Sequence, residues 1–362
     1  MSASVTKAGP YYSSGSISFS SLRTNFKESD SGSISASELR RNTTTTNTNP
    51  TVPDATENSS ISTASNLAIS QFRNSIKYYY ITQTGTDVNF DIDAQSWNSN
   101  LNKNIRKWMY INGTCGSNSI SSTAVDFNAT AYNLTVDVSG GIYGAAGSGG
   151  TAATISGGSG GTALSVNSSG GNNIVVFVRD SANIYGGGGG GEKGATGATG
   201  SPGTCTDSYT ASQCGSCPEC PSPYVNGSCW GGGECGRRQV CNWWGNCWWE
   251  ASQWTQYRTC TRTYGVSGGT GGAGGDGGTG RGYNNAGSLA GAAGAAGGSN
   301  NGCGSTNGAT GETGGSGGDW GSSGVNTANS GNGGPSGRAI SGSNYSVSGT
   351  INSSTIKGLY LP

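Results

Sequence analysis

Between residues 205 and 260 lies the stretch richest in chemistry, CTDSYTASQCGSCPECPSPYVNGSCWGGGECGRRQVCNWWGNCWWEASQWTQYRTC. It holds nine of the eleven cysteines and six of the nine tryptophans. Cys214, Cys217 and Cys220 have the two-residue gaps of a metal knuckle, but four-cysteine zinc sites use two well-separated pairs and only one cluster here has that spacing. An iron–sulfur run needs Cys-Pro three residues after its third cysteine, which CPSPYV does not supply. Cysteine at this density is the mark of a small domain stapled because it cannot build a core. Disulfides are therefore the expected chemistry of Cys205, Cys214, Cys217, Cys220, Cys229, Cys235, Cys241, Cys247 and Cys260, with zinc as the alternative. Nine is odd, so one must stay free, pair with Cys115 or Cys303, or cross to another chain.

The same stretch stacks Trp243, Trp244, Trp248, Trp249 and Trp254 beside Tyr257, Arg258 and Arg262. Indoles either form a miniature core or stand exposed as a platform for sugar rings, whose C–H faces pack on aromatic faces while the indole N–H bonds a hydroxyl. Five are more than so small a core can bury, so both uses are expected. Trp254-x3-Arg258-x-Cys260 resembles the Trp–Arg layering of thrombospondin type 1 repeats, in which guanidinium groups stack between indoles. The remaining catalytic candidates are sparse. The chain has no histidine, which removes the commonest general base. Asp91 and Asp93 share one strand face and could act as a carboxylate pair on a glycosidic bond, or be a solvated acidic face. No enzyme activity and no cofactor are expected.

The elements that must carry these residues have little apolar side chain. Of 362 residues 68 are glycine, 32% are apolar and 10% charged, with zero formal net charge. Scattered Lys and Arg give no electrostatic grip on nucleic acid. No stretch is long enough to insert in a membrane, and MSASVTKAGPYYSSGS lacks a signal-peptide pattern, so synthesis in the cytoplasm is expected. SGSISFSSLRTNF (14–26) returns as SGSISASELRRNT (31–43), with capping-box spacing at Ser35 and Glu38. Each copy reads as an extended piece and a short helix carrying Leu22 or Leu39, too small to hold itself folded. The two copies are either docking segments, with Leu22, Phe26, Leu39 and Arg40 as contacts, or a disordered tail. Residues 42–60 read as linker. In 61–140, Ile69, Phe72 and Ile76 have helical spacing and YYYITQ, VNFDID and KWMYINGT are strand-like.

LTVDVSGGIYGAAG (134–147) recurs as VVFVRDSANIYGGGG (175–189), which suggests stacked strand layers with glycine excursions between them. GEKGATGATGSPG (191–203) has collagen-like register, and GGTGGAGGDGGTGRG (268–282) resumes it. A period of three fits polyproline-II-like strands, whose backbone groups must bond to neighbouring strands that glycine lets approach. A flexible linker is the alternative. The expected fold is mainly β and irregular with little helix: an N-terminal anchoring segment and linker (1–60), a small β-rich domain (61–140), a glycine-rich, collagen-like block (141–204), the disulfide-stapled Cys/Trp insert (205–264), a polyglycine-II-type bundle (265–340) and closing strands (341–362).

The collagen-like triplets, the IYGGGGGG junction and the ISFSSLRTNF start together resemble tail-fibre and adhesin proteins of tailed bacteriophages, those of marine cyanobacterial phages in particular. The resemblance covers 8–43 and about 134–340. It implies a virion protein of the tail fibre or baseplate periphery. Its N-terminus would join other tail or baseplate proteins, and its tip would adsorb to a bacterial surface glycan such as lipopolysaccharide. It would be a homo-oligomer, a trimer among the options. A spacer, baseplate or capsid decoration protein without a receptor is the alternative.

Overall fold

The computed structural model describes residues 3–8, 16–27, 33–44, 51–64, 66–168 and 173–360. It separates into two compact units, one of residues 1–195, 275–293 and 313–362, the other of 196–274 and 294–312.

The first unit begins with β1 (Ala3–Ala8), β2 (Arg41–Asn42) and β3 (Val52–Pro53). From Tyr78 the chain then winds in repeated turns. β4 (Tyr78–Gln83), β5 (Thr86–Val88) and β6 (Phe90–Asp91) make one; β7 (Arg106–Ile111), β8 (Thr114–Gly116) and β9 (Val125–Phe127) the next; β10 (Leu134–Val138), β11 (Gly141–Tyr143) and β12 (Leu164–Asn167) the third. β13 (Val175–Val178) and β14 (Asn183–Tyr185) start a fourth. β15 (Gly203–Cys214), β16 (Val225–Cys241) and β17 (Cys247–Val266) form a sheet of their own in the second unit. The fourth turn resumes with β18 (Ile340–Ser343), followed by β19 (Ser346–Gly349) and β20 (Ile356–Lys357).

Like strands of successive turns stack into three sheets, β4-β7-β10-β13-β19, β5-β8-β11-β14-β20 and β6-β9-β12-β18. All these pairings are parallel, and β1 closes the first edge antiparallel to β4. The unit is thus a three-faced β-solenoid. Its strands alternate because one face of each looks inward, and registered ladders fill the interior. Ile81, Met109, Val136 and Val176 stack on one face, and Phe90, Val125, Leu164 and Ile340 on another. All are buried, at about 1.5–3 kcal/mol for each large apolar side chain. Left-handed asparagines, Asn74, Asn133, Asn173 and Asn344, turn the corner before β4, β10, β13 and β19, a conformation asparagine tolerates.

The Ile-Tyr-Gly recurrence now has a physical reading. Ile142 and Ile184 are paired in register and buried. Tyr143 and Tyr185 point outward, pack edge-on and meet Trp320. Gly144 and Gly186 begin the glycine runs. Lys107 breaks the inward pattern: it is fully buried, its ammonium donating to the Lys103 and Ile105 carbonyls at 2.8 Å. Burial pushes its pKa down to about 7.

Within the first unit, residues 187–194 run through the middle of the glycine segments. Their N–H groups donate in turn to Gly161, Arg281, Ser322, Gly158, Gly278, Val325, Ile155 and Gly275. Three neighbouring segments are thus addressed in strict rotation. The carbonyls of 187–192 accept from three others, from Gly337, Gly147, Gly318, Gly334, Gly150 and Gly315. A strand that returns to the same neighbour every third residue has three residues per turn, and it is surrounded on six sides by backbone. At Gly188 a Cβ would lie 2.1 Å from the Gly318 oxygen, so only glycine allows the approach. The second unit shows the same period between its own segments, with Gly197 and Gly200 donating to Gly272 and Gly269, and Gly308 and Gly311 to Gly298 and Ala295.

The duplicated N-terminal phrase folds onto the chain itself. Ser18 caps helix α1 (Phe19–Leu22), followed by a wide turn over Arg23–Lys27. In the second copy Ser35 and Glu38 cap each other. Leu22, Phe26 and Leu39 are buried with Val52, Ile61 and Phe72 in a core of their own. Residues 51–60, expected as linker, instead carry Val52 and Asn58 fully buried, because Asn58 bonds the Pro53 and Ile76 carbonyls and the Ile76 N–H. Of the rest of the expected linker, Asn42 of β2 pairs with Pro53, and 45–50 lie outside the described residues. Ile69–Phe72 makes one 3-10 turn, and Ile76 lies beyond it.

Candidate functional site

In the second unit β17 is central, antiparallel to β15 on one side and β16 on the other. Too few apolar residues exist here for a core, and covalent bonds replace it. Cys214 joins Cys235, Cys217 joins Cys229, Cys220 joins Cys260 and Cys241 joins Cys247. The odd cysteine, Cys205, reaches Cys303 across 98 residues. Cys115 keeps a free thiol, buried in the solenoid and pushed up to about 12 by burial and then by Asp87. In that state it is inert.

One side of this sheet is layered. Arg262 pairs with Asp207 at 2.6 Å and lies between Tyr224 and Tyr264, 5.0 and 4.8 Å from their rings. Tyr224 in turn meets Tyr209 edge-on. Cation–aromatic stacking here is made by Arg262 with tyrosines, not by the Trp254 and Arg258 of the expected layering. Arg258 stands opposite Cys229.

β15 ends at Cys214, opposite Thr255, so β16 and β17 continue beyond it as a bare two-stranded hairpin. The Cys241–Cys247 bond closes its tip around NWWGN. Trp243, Trp244, Trp249, Trp254 and Trp248 are 84, 70, 62, 53 and 46% exposed. The structure brings the first three and Trp248 together at the tip, where the Trp243 and Trp244 rings lie 3.8 Å apart. Trp254 lies lower, opposite Glu234, and Tyr257 lower still, stacked on Trp230. Trp248 donates its indole N–H to Glu250 at 2.8 Å. No residue between Val240 and Trp249 is charged. The tryptophans therefore form no core and stand exposed on the hairpin.

Other expected site residues lie elsewhere. Asp91 accepts from the Asp93 and Ala94 N–H groups, and Asp93 from Asn128. Both carboxylates hold turns, and burial raises the Asp93 pKa. Leu22, Phe26 and Leu39 point into the N-terminal core and Arg40 is half-buried. Removing residues 1–45 would strip that core from Val52, Ile61 and Phe72. An apolar groove of about 70 Å³ lies between Phe19 and Ile69, both exposed. Sequence reasoning missed Trp230 and a Thr/Ser face of the sheet, although the alternation of Thr259, Thr261 and Thr263 in TQYRTCTRTYG signals it. It also missed Glu192, a buried carboxylate that takes the N–H groups of Thr327 and Gly331 and so fixes the loop between them.

Residues 77–293, more than half of the chain, match the model of the phage tail fibre adhesin Gp38 family. The chain belongs to this family of tail-fibre adhesins. As an adhesin of the fibre it serves recognition of the host and resides in the virion tail. No curated protein matches the sequence. Among solved structures the adhesin is similar to the crystal structure of the gp37–gp38 adhesin tip complex of the bacteriophage S16 long tail fiber, at 20% identity and a TM-score of 0.33. The match covers 83% of this chain and 88% of that one. Among the described residues no helix is long and apolar enough to cross a membrane.

Proposed function

We propose that the adhesin adsorbs to a glycan of the bacterial surface through the indoles of its disulfide-closed hairpin, without catalysis. The supporting observation is the concentration of Trp243, Trp244, Trp248 and Trp249 on a tip whose residues 241–248 carry no charge and which has no core to bury them. Trp faces pack on sugar C–H groups, and the indole N–H groups of Trp243, Trp244 and Trp249 have no partner within the protein among the described residues. Each such contact contributes on the order of 1 kcal/mol, and several copies on one particle multiply it. Attachment to another fibre protein falls to the apolar groove at Phe19 and Ile69.

One experiment with two arms tests this. Particles carrying Trp248→Ala with Trp249→Ala should retain the protein and lose adsorption to host cells. Particles made with Phe19→Glu should lack an otherwise folded protein. Undiminished adsorption of the first would remove the indoles from the contact, and normal incorporation of the second would remove the groove from attachment.

A further inference from the structure

The three-stranded part of the second unit has two unlike sides. In an antiparallel sheet directly opposed residues share a face. Asp207, Arg258 and Arg262, the only charged residues of strand segments 203–214, 225–231 and 255–266, all lie on one of them. There the loop 215–224 covers them, tied down through Cys217–Cys229 and Cys220–Cys260. The other side is uncovered and carries no charge. Across it run the opposed pairs Thr206–Thr263, Ser208–Thr261 and Thr210–Thr259. Ser212, Tyr257 and Trp230 close the row at one end, the two rings stacked with centroids 6.0 Å apart and planes at 23°. None of these six pair hydroxyls, nor that of Ser212, is taken up by a hydrogen bond within the protein among the described residues. Strand geometry spaces them about 7 Å along and about 5 Å across the sheet.

We infer that this face is a second binding surface, for an uncharged polysaccharide laid along β17. Trp230 and Tyr257 would take one sugar ring by its C–H face, and the threonine rows would exchange hydrogen bonds with the hydroxyls of the following units. Charge selects this occupant. An acidic glycan would surrender its hydration without gaining a counter-charge, and a protein partner would find a flat grid with no pocket for a buried anchor. The inference rests on the reading of the adhesin as a glycan binder, but it uses residues separate from the hairpin tip.

The test is affinity electrophoresis of the full-length adhesin through gels holding the neutral or the acidic polysaccharide fraction of the cells to which the particle adsorbs. The neutral fraction should retard the wild type and the acidic fraction should not. Thr210→Val with Thr259→Val keeps shape and strand preference but removes two hydroxyls, Trp230→Ala removes the ring, and Ser212→Arg places a charge on the face. Each should weaken retention at least tenfold with its disulfides intact. Retention equal to wild type in all three, or no retention of the wild type by the neutral fraction, or preference for the acidic one, would overturn the inference. Loss of adsorption in the tip variant alone, with retention kept by every face variant, would leave the hairpin reading standing and sink only this one.

Discussion

Gly277 is the position where the backbone-bonded architecture can be tested with a single methyl group. A Cβ there would lie 2.0 Å from the Gly191 oxygen and 2.8 Å from the Gly150 nitrogen. Backbone cannot yield as a flexible side chain can, so the strands must part by about 1.4 Å to restore ordinary contact. Three bonds meet at this point: Gly277 to Gly150, Gly150 to Gly191, and Gly191 to Gly278. At about 1 kcal/mol each, Gly277→Ala should cost about 3 kcal/mol and lower the melting temperature of the first unit by roughly 6–12 °C. Gly287→Ala is the matched control, since nothing lies within 4 Å of its added Cβ. It should be neutral or stabilising by about 0.5 kcal/mol, because alanine narrows the unfolded ensemble. Scanning calorimetry measures both, and amide exchange across 268–282 reports the local bonds. Equal melting of the two variants, with exchange across this stretch as fast as in an unfolded chain, would refute the reasoning.

Two further outcomes follow from the same forces. Reduction by dithiothreitol should deprotect 205–260 to amide exchange and leave the glycine segments of the first unit protected, since one part is held by disulfides and the other by backbone hydrogen bonds; simultaneous loss of both would deny that separation. Lys107, lowered from 10.5 to about 7 by burial, binds its proton less readily folded than unfolded, so stability should rise with pH between about 7 and 9, above which the raised Cys115 thiol opposes it. Lys107→Met should flatten that slope in urea titrations, and an unchanged slope would place its origin elsewhere.

Much of this organisation is legible in the chain, element by element. YYYITQ and KWMYIN alternate because one side of each strand is buried, and the repeated Ile-Tyr-Gly stacks in parallel register as its recurrence suggests. The triplet period is legible at 191–203 and 268–282, and the rotation of donors along 187–194 comes from the structure. The hairpin indoles stand exposed because no apolar residues accompany them. The leucines of the duplicated phrase were less legible. Their pattern marks a face to be buried, and nothing in it says whether the burying surface belongs to another protein or, as found, to Val52 and Phe72 of the same chain.

Local chemistry is therefore what sequence alone determined: strand alternation, glycine where backbones must touch, cysteine where a core is lacking, and a family resemblance that the 77–293 match supports. Which strands share a solenoid face was decided only by folding, because the partners of β14, namely β11 and β20, lie on opposite sides of a long glycine excursion in the chain. The same is true of Cys205 and Cys303, and of the charges gathered on one side of the β15–β17–β16 sheet. Pairing across 98 residues and the sorting of side chains between two faces depend on register, and register is a property of the packed strands rather than of any one of them.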